Sequence, residues 1–199
     1  SMPSWGTCTV EETRTFFEEV CGRFESCEFM HYNTPRSGRL IEPREYGALA
    51  AAHPNFVGTK NSRDSPAVVA GLHRYAPSLR HFLTESPFSI ASLLGYDAGL
   101  LISRASINWQ RAKRFYQACI ERDADAVASF TDQFLTMGEG FELAVNPKSH
   151  MDGGYDKLFP MFVNPDLRPE LLPPYGTTDR EAFEMLRGFL RRELPDWVN

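Results

Sequence analysis

Tyr32 and Lys60, twenty-eight positions apart, carry the side chains of this sequence best suited to covalent chemistry. Lys60 closes the apolar run Phe56-Val57-Gly58-Thr59-Lys60. Burial at the end of such a strand disfavours the ammonium and frees a neutral amine to attack a carbonyl carbon, which makes Lys60 a Schiff-base candidate. A lysine that has left the strand and snorkels to solvent is the alternative. Tyr32 closes the run Cys27-Glu28-Phe29-Met30-His31-Tyr32. A phenol there can pass a proton to or from a carbonyl or carbinolamine oxygen, or can simply pack with its hydroxyl satisfied. Arg36, Asn61, Glu85, Leu101 and Ser103 stand at or just beyond the ends of similar runs and are candidate contacts for a second substrate. Loop polar groups of that kind are otherwise just solvated. His31 adjoins Tyr32, but strand alternation points it the other way, toward a structural or surface role. His150-Met151-Asp152-Gly153-Gly154 lacks a ligand set, and no metal is expected.

Strand ends must be positioned by something, and the sequence supplies alternating elements. Thr9-x-x-Glu12 is a capping box opening a helix over 9–23. Strand-like runs follow at 27–32, 55–60, 80–84 and 99–103. Between them, Pro43 starts a helix over 43–53, Ser65-Pro66 caps one that runs to Tyr75, and Ser86-Pro87 caps one that ends before Gly95. Strands joined by crossover helices are parallel, right-handed and buried on both faces. Helices then take over, at 108–121, 123–145, 155–162 and 178–193, the last with a Thr178-x-x-Glu181 box. Two architectures fit four such units: a small open α/β sheet, or part of a (β/α)8 barrel. No Gly-rich phosphate loop follows a strand, so a nucleotide-binding sheet loses its main support. A complete barrel takes about 250 residues, so these 199 would supply its last four units, over 1–122, with a helical extension over 123–199.

Composition narrows the partners. Twenty-one Lys and Arg stand against 26 Asp and Glu, a net charge of −5, with no basic stripe to follow a phosphate backbone. Nucleic acid is therefore not expected. The most apolar stretch, 86–103, holds Pro87, Asp97 and two glycines, which rules it out as a membrane-spanning helix. Four cysteines without CxxC spacing fit a reducing, cytoplasmic setting, and no signal peptide is expected at Ser1-Met2.

The phrase Tyr32-Asn33-Thr34-Pro35, followed by Gly58-Thr59-Lys60, resembles the Tyr-Asn-x-Pro and Gly-x-Lys pair of the dihydrodipicolinate synthase and N-acetylneuraminate lyase family. The helix at 43–53, the Asn55-Phe56-Val57-Gly58 entry and the stretch Gly95 to Ser103 are similar to that family's sixth to eighth barrel units. The resemblance implies a (β/α)8 barrel with helical extension, usually tetrameric, in which Lys60 forms an imine with pyruvate or another 2-oxo acid and Tyr32 relays protons. It also marks departures. The family's Gly-x-x-Gly-Glu carboxylate clamp is absent. The loop after Tyr32 is one residue short, which moves Arg36 off the family's carboxylate-binding position and speaks against dihydrodipicolinate synthesis itself. Asn61 stands where an acidic residue is common, and Glu85 near a usually Gly-Asp-rich turn. Met2-Pro3-Ser4-Trp5 leaves Trp5, or nothing, to play the aromatic that enters a neighbouring subunit.

Three functions follow for comparison. The first is a Schiff-base lyase or aldolase acting on a 2-oxo acid, with no metal or organic cofactor because the Lys60 imine is the electron sink. A 2-keto-3-deoxy sugar acid dehydratase of the same family is the second. The third is a truncated, inactive half-barrel that needs a partner: its missing N-terminal half, or further copies of itself.

Overall fold

Thr9 and Glu12 close the expected capping box: the Thr9 hydroxyl accepts from the Glu12 N–H at 3.2 Å, and the Glu12 carboxylate accepts from the Thr9 N–H at 2.7 Å. Helix α1 (Val10–Phe17) runs from this cap into a wider π turn, Glu18–Gly22. The Asn55 amide then donates to the carbonyls of Cys21, Phe24 and Cys27, tying the end of the helix to the next strand. The computed structural model describes residues 1–2, 6–145, 152–176 and 178–198. Trp5, His150 and Met151 lie outside them. Chain contacts divide the molecule into two units, Ser1–Leu101 and Ile102–Asn199.

Strands β1 (Phe29–Tyr32), β2 (Phe56–Asn61), β3 (Arg80–Leu83) and β4 (Gly99–Leu100) form one sheet in the order β1-β2-β3-β4, every pair parallel. Helices α2 (Pro43–Ala52), α3 (Pro66–Tyr75) and α4 (Glu85–Leu93) make the crossovers. Ser65 caps α3 as expected. Several boundaries differ by a few residues. β1 starts at Phe29 because the Cys27 N–H turns back to the Phe24 carbonyl. β2 runs one residue past Lys60, to Asn61. β4 stops at Leu100; the Leu101 N–H still donates to Leu83, but a 3-10 turn, Ser103–Ser106, then takes the chain. α4 begins at Glu85, with Thr84 at the N-cap position but no side-chain capping bond, and Pro87 is its third residue, where a missing N–H costs nothing because first-turn donors have no intrahelical acceptor.

One face of the sheet is packed against helices. Phe17 of α1 meets Phe56 edge-on with centroids 4.9 Å apart, Tyr46 of α2 lies 6.1 Å from the same ring, and Leu49, Val69, Leu72 and Leu83 are buried. Polar groups on this face bond to one another: His31 Nδ1 lies 2.8 Å from the Tyr46 hydroxyl, and His81 Nδ1 lies 2.8 Å from the Thr59 hydroxyl. His31 thus takes the structural of its two expected roles.

The second unit is helical. It contains α5 (Trp109–Glu121), α6 (Ala124–Val145), α7 (Asp152–Asp156), α8 (Arg180–Glu193) and α9 (Pro195–Val198). Phe115 packs edge-on to Phe134 at 5.0 Å, and Trp197 is buried with its indole N–H on Gln133 Oε1. Gly140 lets α8 approach α6, since a Cβ there would stand 2.6 Å from the Phe189 ring. The single helix expected over 155–162 is instead α7 plus a 3-10 turn, Phe159–Phe162. Asp179, not Thr178, caps α8, because the Thr178 hydroxyl is engaged by the Gly154 carbonyl. The four-residue α9 carries no periodic signal, being only one turn long.

Burial holds the pKa of both His31 and His81 down to about 4, against an ordinary 6.5; the Ser1 terminal ammonium adds to the effect on His31, and His73 to that on His81, where hydrogen bonds to the Ala76 and Leu72 carbonyls oppose it. The unfolded chain therefore binds more protons below pH 6.5, so this contribution is complete above pH 6.5 and is lost as pH falls toward 4. At pH 5 each histidine costs up to about 2 kcal/mol relative to pH 7.5. Urea midpoints followed by circular dichroism should fall between pH 6.5 and 5; a flat midpoint over that window would refute neutral burial.

Candidate active site

The register of the sheet builds the site. Tyr32 of β1 pairs with Lys60 of β2, Lys60 with Phe82 of β3, and Phe82 with Gly99 of β4, so the four share one row on one face. Met30, Gly58 and Arg80 form the row before it. Within this unit the face is open: Met30 is 52% exposed, and Tyr32, Lys60 and Phe82 are partly exposed. Gly99 is a glycine for a spatial reason, since a Cβ would lie 2.5 Å from the Phe82 ring leaning over it.

Lys60 Nζ stands 3.9 Å from the centroid of the Tyr32 ring. At a partly exposed site such a cation–π contact is worth about 0.5–1 kcal/mol. The nitrogen meets the ring face rather than the hydroxyl, which leaves the phenol oxygen free to serve a reacting group beside the amine. A primary amine, an adjacent phenol and an open face are the ingredients for carbonyl addition with proton transfer.

Behind Lys60, strand alternation turns Thr59 and Asn61 to the helix-covered face, where both are fully buried. Asn61 Nδ2 donates to Thr59 Oγ1 at 2.8 Å, and Asn61 Oδ1 accepts from Asn33 Nδ2 at 2.9 Å. Asn33 in turn clasps Ile41 through both ends of its amide, accepting from the backbone N–H and donating to the carbonyl, each at 3.0 Å. Asn61, expected among substrate contacts on a strand-end loop, is thus the last residue of β2 and faces away from Lys60.

The other candidates are scattered. Arg36 is exposed in a 3-10 turn, Pro35–Ser37, just after β1. Glu85 is buried in the first turn of α4, just after β3, with its carbonyl on the Ser89 hydroxyl. Leu101 extends the β4 ladder and is partly buried. All three lie at the carboxyl end of the sheet with Lys60. Ser103 is exposed in the turn that opens the second unit. Asn33, Thr59 and His81 were missed as a set. Their signal is parity: Thr59 and His81 occupy strand positions that alternate with Lys60 and Phe82, and Asn33 continues that alternation one residue past Tyr32, on a face that crossover helices must bury. Among the described residues no three His, Cys, Asp or Glu side chains gather as metal ligands, and no helix is long and apolar enough to cross a membrane.

No family model matches this chain, and neither does any curated protein. Solved structures do. YagE from E. coli K12, a prophage protein of the dihydrodipicolinic acid synthase family in complex with pyruvate, is 19% identical with a TM-score of 0.77 over 96% of this chain and 64% of its own. KD(P)GA from T. tenax is 18% identical, with a TM-score of 0.77 over 98% and 66%. N-acetylneuraminate lyase from Fusobacterium nucleatum is 14% identical, with a TM-score of 0.71 over 98% and 63%. The chain spans about 64% of the length of the first of these. The likeness establishes the fold: four parallel strands and their helices are part of a (β/α)8 barrel of the kind found in dihydrodipicolinate synthase-family structures.

Asn33→Ala should cost about 2–4 kcal/mol, since it leaves both backbone groups of Ile41 and the Asn61 carbonyl oxygen without their buried partner. The urea midpoint at pH 7.5 measures this, and a loss below about 0.5 kcal/mol would mean that water replaces the amide.

Proposed function

We propose that this chain, folded as dihydrodipicolinate synthase-type barrels are, supplies the imine-forming part of a class I lyase or aldolase that acts on pyruvate or a related 2-oxo acid. One observation carries the reading: Lys60 and Tyr32 are register partners in contact on the open face of the sheet, at its carboxyl end. The Lys60 amine adds to the ketone carbon, the carbinolamine loses water, and the resulting iminium withdraws the electron pair released when the adjacent carbon–carbon bond breaks. Tyr32 carries protons to and from the carbinolamine oxygen and takes the proton of the substrate hydroxyl whose carbon leaves as an aldehyde. This chemistry takes no metal or organic cofactor, and the four free thiols suit a reducing, cytoplasmic setting. A 2-keto-3-deoxy sugar acid dehydratase would use the same lysine to acidify the carbon beside the imine.

The open face favours a second reading beside the first. A face bearing Met30, Tyr32, Lys60 and Phe82 that is partly exposed, with β1 and β4 as the edges of the sheet among the described residues, fits the interior of a barrel that further strands would complete, and the chain reaches about 64% of the length of YagE. Activity then requires a partner half-barrel or assembly with further copies.

Intact mass after incubation with pyruvate and cyanoborohydride tests both. The parent chain should gain one reduced pyruvate imine, and Lys60→Ala none. Tyr32→Phe should still be modified, but about 100-fold more slowly. Absence of adduct on the folded chain, persisting when a dihydrodipicolinate synthase-type N-terminal half is added, would refute the reading.

A further inference from the structure

The polar groups behind Lys60 leave no freedom in the direction of their hydrogen bonds. At one end, Asn33 faces both the N–H and the carbonyl of Ile41, so its Oδ1 must accept and its Nδ2 must donate. Its second Nδ2 hydrogen goes to Asn61 Oδ1, which turns the Asn61 Nδ2 toward Thr59 Oγ1. At the other end, His81 Nε2 lies 3.0 Å from the Ala76 carbonyl, which only an N–H can satisfy. In the neutral imidazole this leaves Nδ1 as an acceptor, and the Thr59 hydroxyl, already accepting from Asn61, donates to it at 2.8 Å. Five bonds therefore run head to tail from the Ile41 N–H through Asn33, Asn61, Thr59 and His81 to the Ala76 carbonyl. Backbone groups fix the polarity at both ends.

The chain brackets the reactive lysine. Thr59 and Asn61 are its two neighbours on β2, and Asn33, the residue after Tyr32, also donates its backbone N–H to the Lys60 carbonyl at 3.0 Å. Pinning both neighbours on the far face leaves the Lys60 Cα–Cβ bond one direction, out over Tyr32. We propose that this directed chain is a positioning device for Lys60, with Thr59, Asn61, Asn33 and His81 as positioning residues that aim the amine without touching substrate. The inference rests on the imine reading of Lys60.

His81 is faced by Thr59 from β2, by the Ala76 carbonyl and His73 of α3 and its end, and through His73 by Tyr96 and Asp97. His73 is itself held toward its neutral form by burial, against the attraction of Asp97. Reversing the chain at a single point should therefore be readable at His81. Asn61→Asp presents only acceptors to Thr59; the hydroxyl turns to the carboxylate, and His81 must offer hydrogens from both nitrogens.

The experiment has two arms. Nitrogen-15 spectra of the native chain at pH 7 should show His81 neutral with the proton on Nε2, and Asn61→Asp should make it doubly protonated at the same pH. A native Nδ1–H tautomer overturns the directed chain, as does an unchanged His81 in Asn61→Asp when the carbon-13 shift of the introduced carboxyl shows it ionised. Pyruvate trapping on Lys60 with cyanoborohydride supplies the second arm. Thr59→Val, of matching shape, should slow trapping at saturating pyruvate about tenfold or more without changing the half-saturating concentration, and Thr59→Ser should restore it to within about twofold. Should Thr59→Val fail to fold, Asn61→Asp takes its place with the same expected slowing. Trapping at the native rate in the folded variant removes this inference alone. No trapping by the native chain, even with a complementary half-barrel, removes the imine reading and this inference together.

Discussion

The register of β1 against β2 governs everything at this face. Side chains on a strand alternate, so a slip of one residue would set Tyr32 beside Thr59, turn one of them to the wrong side, and tear Asn33 from Asn61. Apolar packing alone defends a register only through shape, because an apolar contact made one residue along costs little more than the lost fit. A buried amide defends it through a debt, since every unmatched donor or acceptor there costs about 1–3 kcal/mol. Asn33 meets that requirement with its side chain on Ile41 and Asn61 and its backbone on Lys60. The placement of the amine over the phenol ring is the visible result.

Much of this fold can be read from the residues, and the misreadings have physical causes. Pro43, Ser65 and the Thr9–Glu12 pair mark their helices because caps and proline act locally. Helix α4 starts one residue before the Ser86-Pro87 signal, with Thr84 at its N-cap position but no side-chain bond there, and Asp179 caps α8 because the Thr178 hydroxyl is engaged by the Gly154 carbonyl. β4 is shorter than the apolar run Leu100-Leu101-Ile102 suggests, because pairing continues only through the Leu101 N–H before the chain turns. The pairing of Tyr32 with Lys60 was legible as two strand ends. The side of the sheet that Asn61 takes was not, because a residue name beside a lysine says nothing about it until the register is known.

The two faces of the sheet divide labour by polarity in an unusual sense. Along the Lys60 row the open face holds the amine, an aromatic ring on each side of it, and a glycine that makes room for one of them. The covered face, which in parallel sheets is ordinarily a run of aliphatic side chains, holds His81, Thr59 and Asn61 bonded in series, and His31 bonded to Tyr46. Polar groups of this kind stabilise little in net terms, yet they exclude alternatives sharply, and exclusion of alternatives is what a reacting side chain requires of its support.

A chain of donors and acceptors anchored at both ends also constrains how the sequence can drift. Exchange of Asn33, Thr59, Asn61 or His81 for a residue of opposite hydrogen-bonding sense damages the neighbour on either side, so no single step along this path is neutral. Descendants of this sequence would therefore change these four positions in concert or not at all, and the positions should travel through lineages as one inherited unit.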